Sequence, residues 1–144
     1  MTLTVRPAVA GDVDAVWPLA RDFATSFRPE RPAFEATFAA LLSDAGARLL
    51  VAADGLEVVG YLLAHVHGTF LANGPVCWVE EVMVAASHRR RGIGAALMSG
   101  AEPWAAERGA AYVSLASRRA GDFYRALGYE ESATFFKRTL RRPA

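Results

Sequence analysis

Leu3 to Arg6 alternates apolar and polar positions and predicts a first strand, after which Val13, Val16, Leu19, Ala20 and Phe23 recur at helical spacing. Ala10-Gly11-Asp12 opens that helix, with Asp12 placed to cap it. Pro18 falls inside the pattern and costs a helix interior roughly 3 kcal/mol, so a kink or restart is expected there. A proline-rich joint, Arg28-Pro29-Glu30-Arg31-Pro32, leads to a second helix bearing Phe34, Phe38, Leu41 and Leu42. Leu49 to Ala53 and Val58 to Val66 read as strands that turn at Asp54-Gly55, and Asn73-Gly74-Pro75 marks the next turn. Val76 to Val84 follows as a strand, Gly92 to Arg108 as a helix with a kink at Pro103, and Tyr112 to Ala116 as a strand. A short helix over Ala120 to Leu127 and a terminal strand pair, near Tyr129 to Glu131 and Thr134 to Leu140, complete the order. The series β-α-α-β-β-β-α-β-α-β-β is mixed α/β, without internal repeat, linker or low-complexity segment.

The 144 residues are the size of one domain, 1–144, and a hydrophobic fraction of 53% is ample for one core. Sixteen basic and fifteen acidic residues leave a net charge of +1, too little for a general field toward nucleic acid or an anionic membrane. Basicity is local instead, at Arg89, Arg90 and Arg91. Cys77 is the only cysteine, so an intrachain disulfide and a cysteine metal cluster are both excluded. With no long apolar run in the sequence, a cytoplasmic location is expected.

The densest chemical signal lies where the strand ending in Val82-Met83-Val84 empties through Arg89-Arg90-Arg91-Gly92-Ile93-Gly94-Ala95 into a helix. The first amides of a helix have no carbonyl partners within it, and the positive end of the helix dipole adds to the arginines. A phosphate or pyrophosphate is the expected occupant. A P-loop requires a lysine and a hydroxyl after its last glycine, and neither follows Gly94. A dinucleotide fingerprint requires a third glycine where this chain has Leu97.

What remains, Arg89-x-x-Gly92-x-Gly94, resembles the acetyl-coenzyme A signature of the GCN5-related N-acetyltransferases, the GNAT superfamily. Ala120-Gly121-Asp122-Phe123-Tyr124-Arg125-Ala126-Leu127-Gly128-Tyr129 is similar to that superfamily's A-x-x-F-Y-x-x-x-G-[FY] segment, in the same order along the chain. The resemblance implies a mostly antiparallel mixed sheet of six to seven strands, flanked by about four helices and splayed between the fourth and fifth strands. It implies acetyl-CoA as donor, a pyrophosphate held by Arg89 to Ala95, and pantetheine lying along Val82, Met83 and Val84. A backbone N–H at Val82 or Met83 would polarise the thioester oxygen. Members are often dimers, and a homodimer stays open.

Acetyl transfer to an amine also needs an acid for the departing thiolate and a base for the nucleophile. Tyr124 is the candidate acid, because a phenol stays protonated at neutral pH. Ser117 stands where the family often carries an asparagine that touches the cofactor, and its hydroxyl reaches less far. Glu80 and Glu81 are the candidate bases; on a regular strand they point to opposite faces, so only one looks into the cleft. Glu80 matches the position of an acidic residue in polyamine-acetylating relatives, and Glu81 would then hold the acceptor's charge. Near Trp78 there is no carboxylate of the kind histone-acetylating relatives use. His65 and His67 share a strand face, where a neutral imidazole is an alternative base or acceptor-site lining beside a plain structural role, and without a third ligand no metal is expected. Cys77 has no histidine neighbour in sequence and reads as structural. The expected activity is N-acetylation of a primary amine of a small molecule or peptide by direct attack. A non-catalytic acyl-CoA sensor is the alternative, and only the enzyme releases thiol when an amine is present.

Overall fold

The computed structural model describes residues 1–141. Its strands are β1 (Leu3–Pro7), β2 (Ala47–Asp54), β3 (Glu57–Thr69), β4 (Gly74–Val84) and β5 (Val113–Ser114), hydrogen-bonded in that order in one sheet. The first four are antiparallel to one another, and β5 runs parallel to β4. Four helices accompany them: α1 (Val13–Phe23), α2 (Arg31–Leu42), α3 (Ile93–Glu107) and α4 (Gly121–Ala126).

Strand alternation divides the core between the two sheet faces. Leu50, Ala52, Leu62, Ala64, Cys77 and Val79 pack with Ile93, Leu97, Met98 and Trp104 of α3. Leu49, Val51, Tyr61 and Leu63 face Val16 and Leu19 of α1 and Phe38 of α2. The β2–β3 hairpin turns at Gly55-Leu56, between paired Asp54 and Glu57. Its two strands and β4 form the middle of the sheet, which carries the candidate site.

Several expectations are corrected. The sheet has five strands, not six to seven, because residues 129–141 contain no strand. Phe135 and Phe136 are adjacent, so an extended chain would present an aromatic ring to both faces. Instead Phe135 stacks on Trp78 with ring centroids 6.2 Å apart, while Phe136 is 86% exposed. The restart foreseen at Pro18 does not occur: α1 runs continuously through it, as α3 runs through Pro103. Burial of Val16 and Leu19 in α1, and of six residues in α3, offsets the missing N–H in each.

Asp12 also has a different task from the cap expected of it. It ends a short 3-10 turn, Ala10–Asp12, and makes no side-chain cap to α1. Its carboxylate turns back to accept hydrogen bonds from Arg6 at 2.8 and 3.0 Å and from the Val9 N–H at 2.8 Å. Hydrogen bonding to Arg6 holds its carboxyl below the usual range against the cost of burial.

Candidate active site

Two features of β4 open the site. First, its pairing with β3 skips one residue: Leu63 faces Glu81 and Ala64 faces Val79, so Glu80 is the extra residue of a β-bulge. A bulge bends its strand and increases the local twist. Second, β4 meets β5 only at Cys77 and Trp78, the two residues before the bulged stretch. The Cys77 N–H donates to the Tyr112 carbonyl at 2.9 Å, and the Ser114 hydroxyl donates to the Cys77 carbonyl at 3.2 Å. Beyond that clamp the strands part. A cleft of about 1320 Å³ opens there, with Glu80, Glu81 and Val82 on one side and Leu115 to Ala120 with Tyr124 on the other.

The bulge also revises the facing of the two carboxylates, since regular alternation does not hold across it. Val79 and Val82, three apart, both join the core under α3. Glu81 lies opposite Leu63 and reaches Tyr61 on the α1/α2 side. Both Glu80 and Glu81 line the cleft, correcting the expectation that only one would.

Past Val84 the chain makes a second 3-10 turn, Ala86–His88, and reaches α3 through the arginine loop. Arg90 has φ +63° and Gly92 φ +78°, a left-handed pair of positions that turns the loop onto the helix. A side chain at Gly92 would meet no atom within 4 Å, so glycine is required there by conformation. Among the described residues, no main-chain N–H from Arg89 to Ala95 has a main-chain partner; the first is Ala96, to Gly92 O at 3.0 Å. Those donors and the exposed Arg90 and Arg91 suit an anionic group. Arg89 is partly committed, because its Nε donates to the Val84 carbonyl at 3.1 Å and ties the loop to the strand end.

Gly94 acts differently from Gly92. A Cβ there would come within 3.2 Å of the Phe123 ring, so its absence seats α4 against the start of α3. The two sequence motifs thus touch each other. Tyr124, beside Phe123, packs edge-on to Tyr129 at 6.1 Å and borders the α3 core. Burial pushes its phenol up, which keeps the proton on oxygen at neutral pH. The Ser117 hydroxyl accepts the Ala120 N–H at 3.0 Å, so it shapes the entry to α4 while lining the cleft.

The structure therefore gathers Glu80, Glu81, Val82, Ser117 and Tyr124 around one cleft, whereas Met83, Val84 and residues 89–95 do not line it. The latter continue the same strand edge and the loop beyond it. His65 and His67 lie toward the far end of β3, paired with Trp78 and Val76. Cys77 is fully buried, and burial raises its thiol, which removes the thiolate a nucleophile needs.

The family model described as Acetyltransferase (GNAT) family matches residues 13–129, from the first residue of α1 past the end of α4. The chain belongs to the GNAT acetyltransferase family. An uncharacterized N-acetyltransferase of Bacillus subtilis (strain 168), YhfO, is 25% identical over 148 residues, covering 99% of each chain. A transcriptional regulator from Bacillus halodurans C-125 has a solved structure that superposes with a TM-score of 0.83 at 27% identity, covering 96% of this chain and 100% of that one. Glucosamine-6-phosphate N-acetyltransferase from Arabidopsis thaliana shares the fold with a TM-score of 0.86 at 16% identity, covering 98% of this chain and all of that one.

The chain is thus an acetyltransferase, and the donor its family uses is acetyl-CoA. The candidate site contains one residue the sequence did not single out. Tyr61, 2% exposed on β3, donates its hydroxyl to Glu81 Oε1 at 2.7 Å across the sheet. The two are 20 positions apart in sequence, so no local pattern links them. An apolar run with a tyrosine in it reads as core until strand register is known.

Proposed function

We propose that this GNAT enzyme transfers the acetyl group of acetyl-CoA to a primary amine by direct attack, without an acyl-enzyme. The observation that carries the reading is the parting of β4 and β5 at the Glu80 bulge, which brings two carboxylates and the Tyr124 phenol to one cleft. Acetyl-CoA supplies an activated acyl carbon and a thiolate leaving group. The unpartnered amides of residues 89–95, with Arg90 and Arg91, would hold its pyrophosphate. Val82, Met83 and Val84 would take pantetheine as an added strand, and an N–H at Val82 or Met83 would polarise the thioester oxygen.

Glu80, directly or through water, accepts the proton that frees the amine lone pair. As the C–N bond forms and the C–S bond breaks, the departing sulfur takes a proton from the Tyr124 hydroxyl, and the second proton shed by the attacking nitrogen returns through solvent to restore the phenol. Cys77 is too buried and too weakly acidic to form a thioester intermediate.

Thiol release from acetyl-CoA, measured with and without amines, tests the activity. Tyr124→Phe is expected to lower turnover about 100-fold or more, the range for a lost general acid, with little change in the acetyl-CoA KM. Unchanged turnover would remove Tyr124 as the acid.

A further inference from the structure

If amines are the acceptors, as proposed above, the cleft itself selects among them. We propose that the acceptor is a primary monoamine on an apolar body, its ammonium bound by the Glu81 carboxylate, which the buried Tyr61 hydroxyl holds in place. Three observations carry this.

The first is the Tyr61–Glu81 bond. Tyr61 is 2% exposed, and its 2.7 Å hydroxyl donation to Oε1 holds the Glu81 carboxylate at the cleft wall. Among the described residues no side chain donates to Oε2, which faces a charged donor in this proposal. The second is the cleft lining from α1, α2 and the joint between them, which contributes Phe23, Phe27, Phe34, Phe38 and Leu41. Such a surface receives hydrocarbon or an aromatic ring and penalises a second buried charge.

The third is the charge balance of the cleft. Among the described residues its carboxylates are Glu30, Glu80 and Glu81, and its cations are Arg118, Arg119, Lys137 and Arg141. Three against four leaves no surplus of negative charge to attract a polycation. A polyamine or aminoglycoside would place its extra ammonium groups against aromatic rings or arginines. A monoamine needs one carboxylate, and Glu81 is the one held from behind.

Tyr61 is then a positioning residue, and it has a signature in pH. Burial raises the Glu81 carboxyl, the Tyr61 hydrogen bond lowers it, and Glu80 raises it. Tyr124 and the cleft's Glu30 and four cations complete the charged and titratable surroundings. Removing the hydroxyl leaves the raising influences unopposed.

The test measures thiol release from acetyl-CoA with 2-phenylethylamine, spermidine and kanamycin as acceptors. The expected order places phenylethylamine at least about tenfold above the polycations in kcat/KM, the size of one differential interaction near 1.4 kcal/mol. Tyr61→Phe should raise the phenylethylamine KM about tenfold, leave the acetyl-CoA KM unchanged and move the acid limb of kcat/KM to higher pH. Should Tyr61→Phe fail to fold by circular dichroism, Glu81→Gln is expected to raise the same KM without affecting that of acetyl-CoA.

Preference for spermidine or kanamycin would overturn the acceptor class while the acetyltransferase reading stands. An unmoved KM and pH limb in Tyr61→Phe would overturn the positioning role. Absence of thiol release with every amine would overturn this acceptor class, and absence of CoA binding as well would also remove the donor site.

Discussion

At the scale of single residues, the Asp12 carboxylate ties the first 3-10 turn back to β1 through Arg6 and the Val9 N–H. Tyr124 is legible because Phe123-Tyr124 sits in a recognisable segment, and Gly92 because a glycine between arginines and a helix implies a turn. Asp12 was legible as a carboxylate at a helix start but not as the partner of Arg6, since that pairing depends on where β1 runs. Asp12→Ala removes the acceptor for two Arg6 bonds and one backbone N–H. With Arg6 39% exposed, a loss of about 1–2 kcal/mol is expected in urea unfolding, below the full value of a dry charged pair. The pH dependence follows from a carboxyl lowered in the folded state. Its contribution is fully present above the ordinary aspartate pKa near 4 and is lost as pH falls through the lower folded value. Wild type and Asp12→Asn should therefore converge in unfolding midpoint as pH drops below about 4.

Among the elements, β4 decides most. Its residues read as a plain strand, and nothing local announces that Glu80 is an extra residue against β3. The bulge exists because Glu81, not Glu80, pairs with Leu63, a fact of register between two strands. One displaced residue brings both glutamates to the cleft. The same strand is held closely at its end: a Cβ on Gly60 would lie 2.9 Å from the Met83 carbonyl oxygen. Backbone cannot yield as a side-chain tip can, so Gly60→Ala is expected to cost about 1–3 kcal/mol in thermal or urea unfolding. It should also impair acetyl transfer, because the segment pushed aside is the edge assigned to pantetheine.

For the molecule as a whole, a ligand that binds only the folded state stabilises all of it. Acetyl-CoA at a hundredfold excess over its Kd should stabilise the enzyme by about 2.7 kcal/mol, read as a rise in Tm. Gly92→Val places a β-branched residue at φ +78° and should abolish most of that rise by distorting the loop. Equal shifts in both proteins would dissociate the loop from donor binding. Among the described residues no helix is long and apolar enough to cross a membrane, and the buried apolar residues form two clusters, one on each face of the sheet. The element order from β1 to α4, the arginine–glycine loop and the candidate acid were legible in the sequence alone, because helix and strand periodicity, turn residues and short motifs are properties of neighbours along the chain. The five-strand sheet, the bulge at Glu80, the contact of Gly94 with Phe123 and the Tyr61–Glu81 bond were decided only by tertiary structure. Each depends on which distant segments lie side by side, and packing and strand register settle that after local preference has done its part.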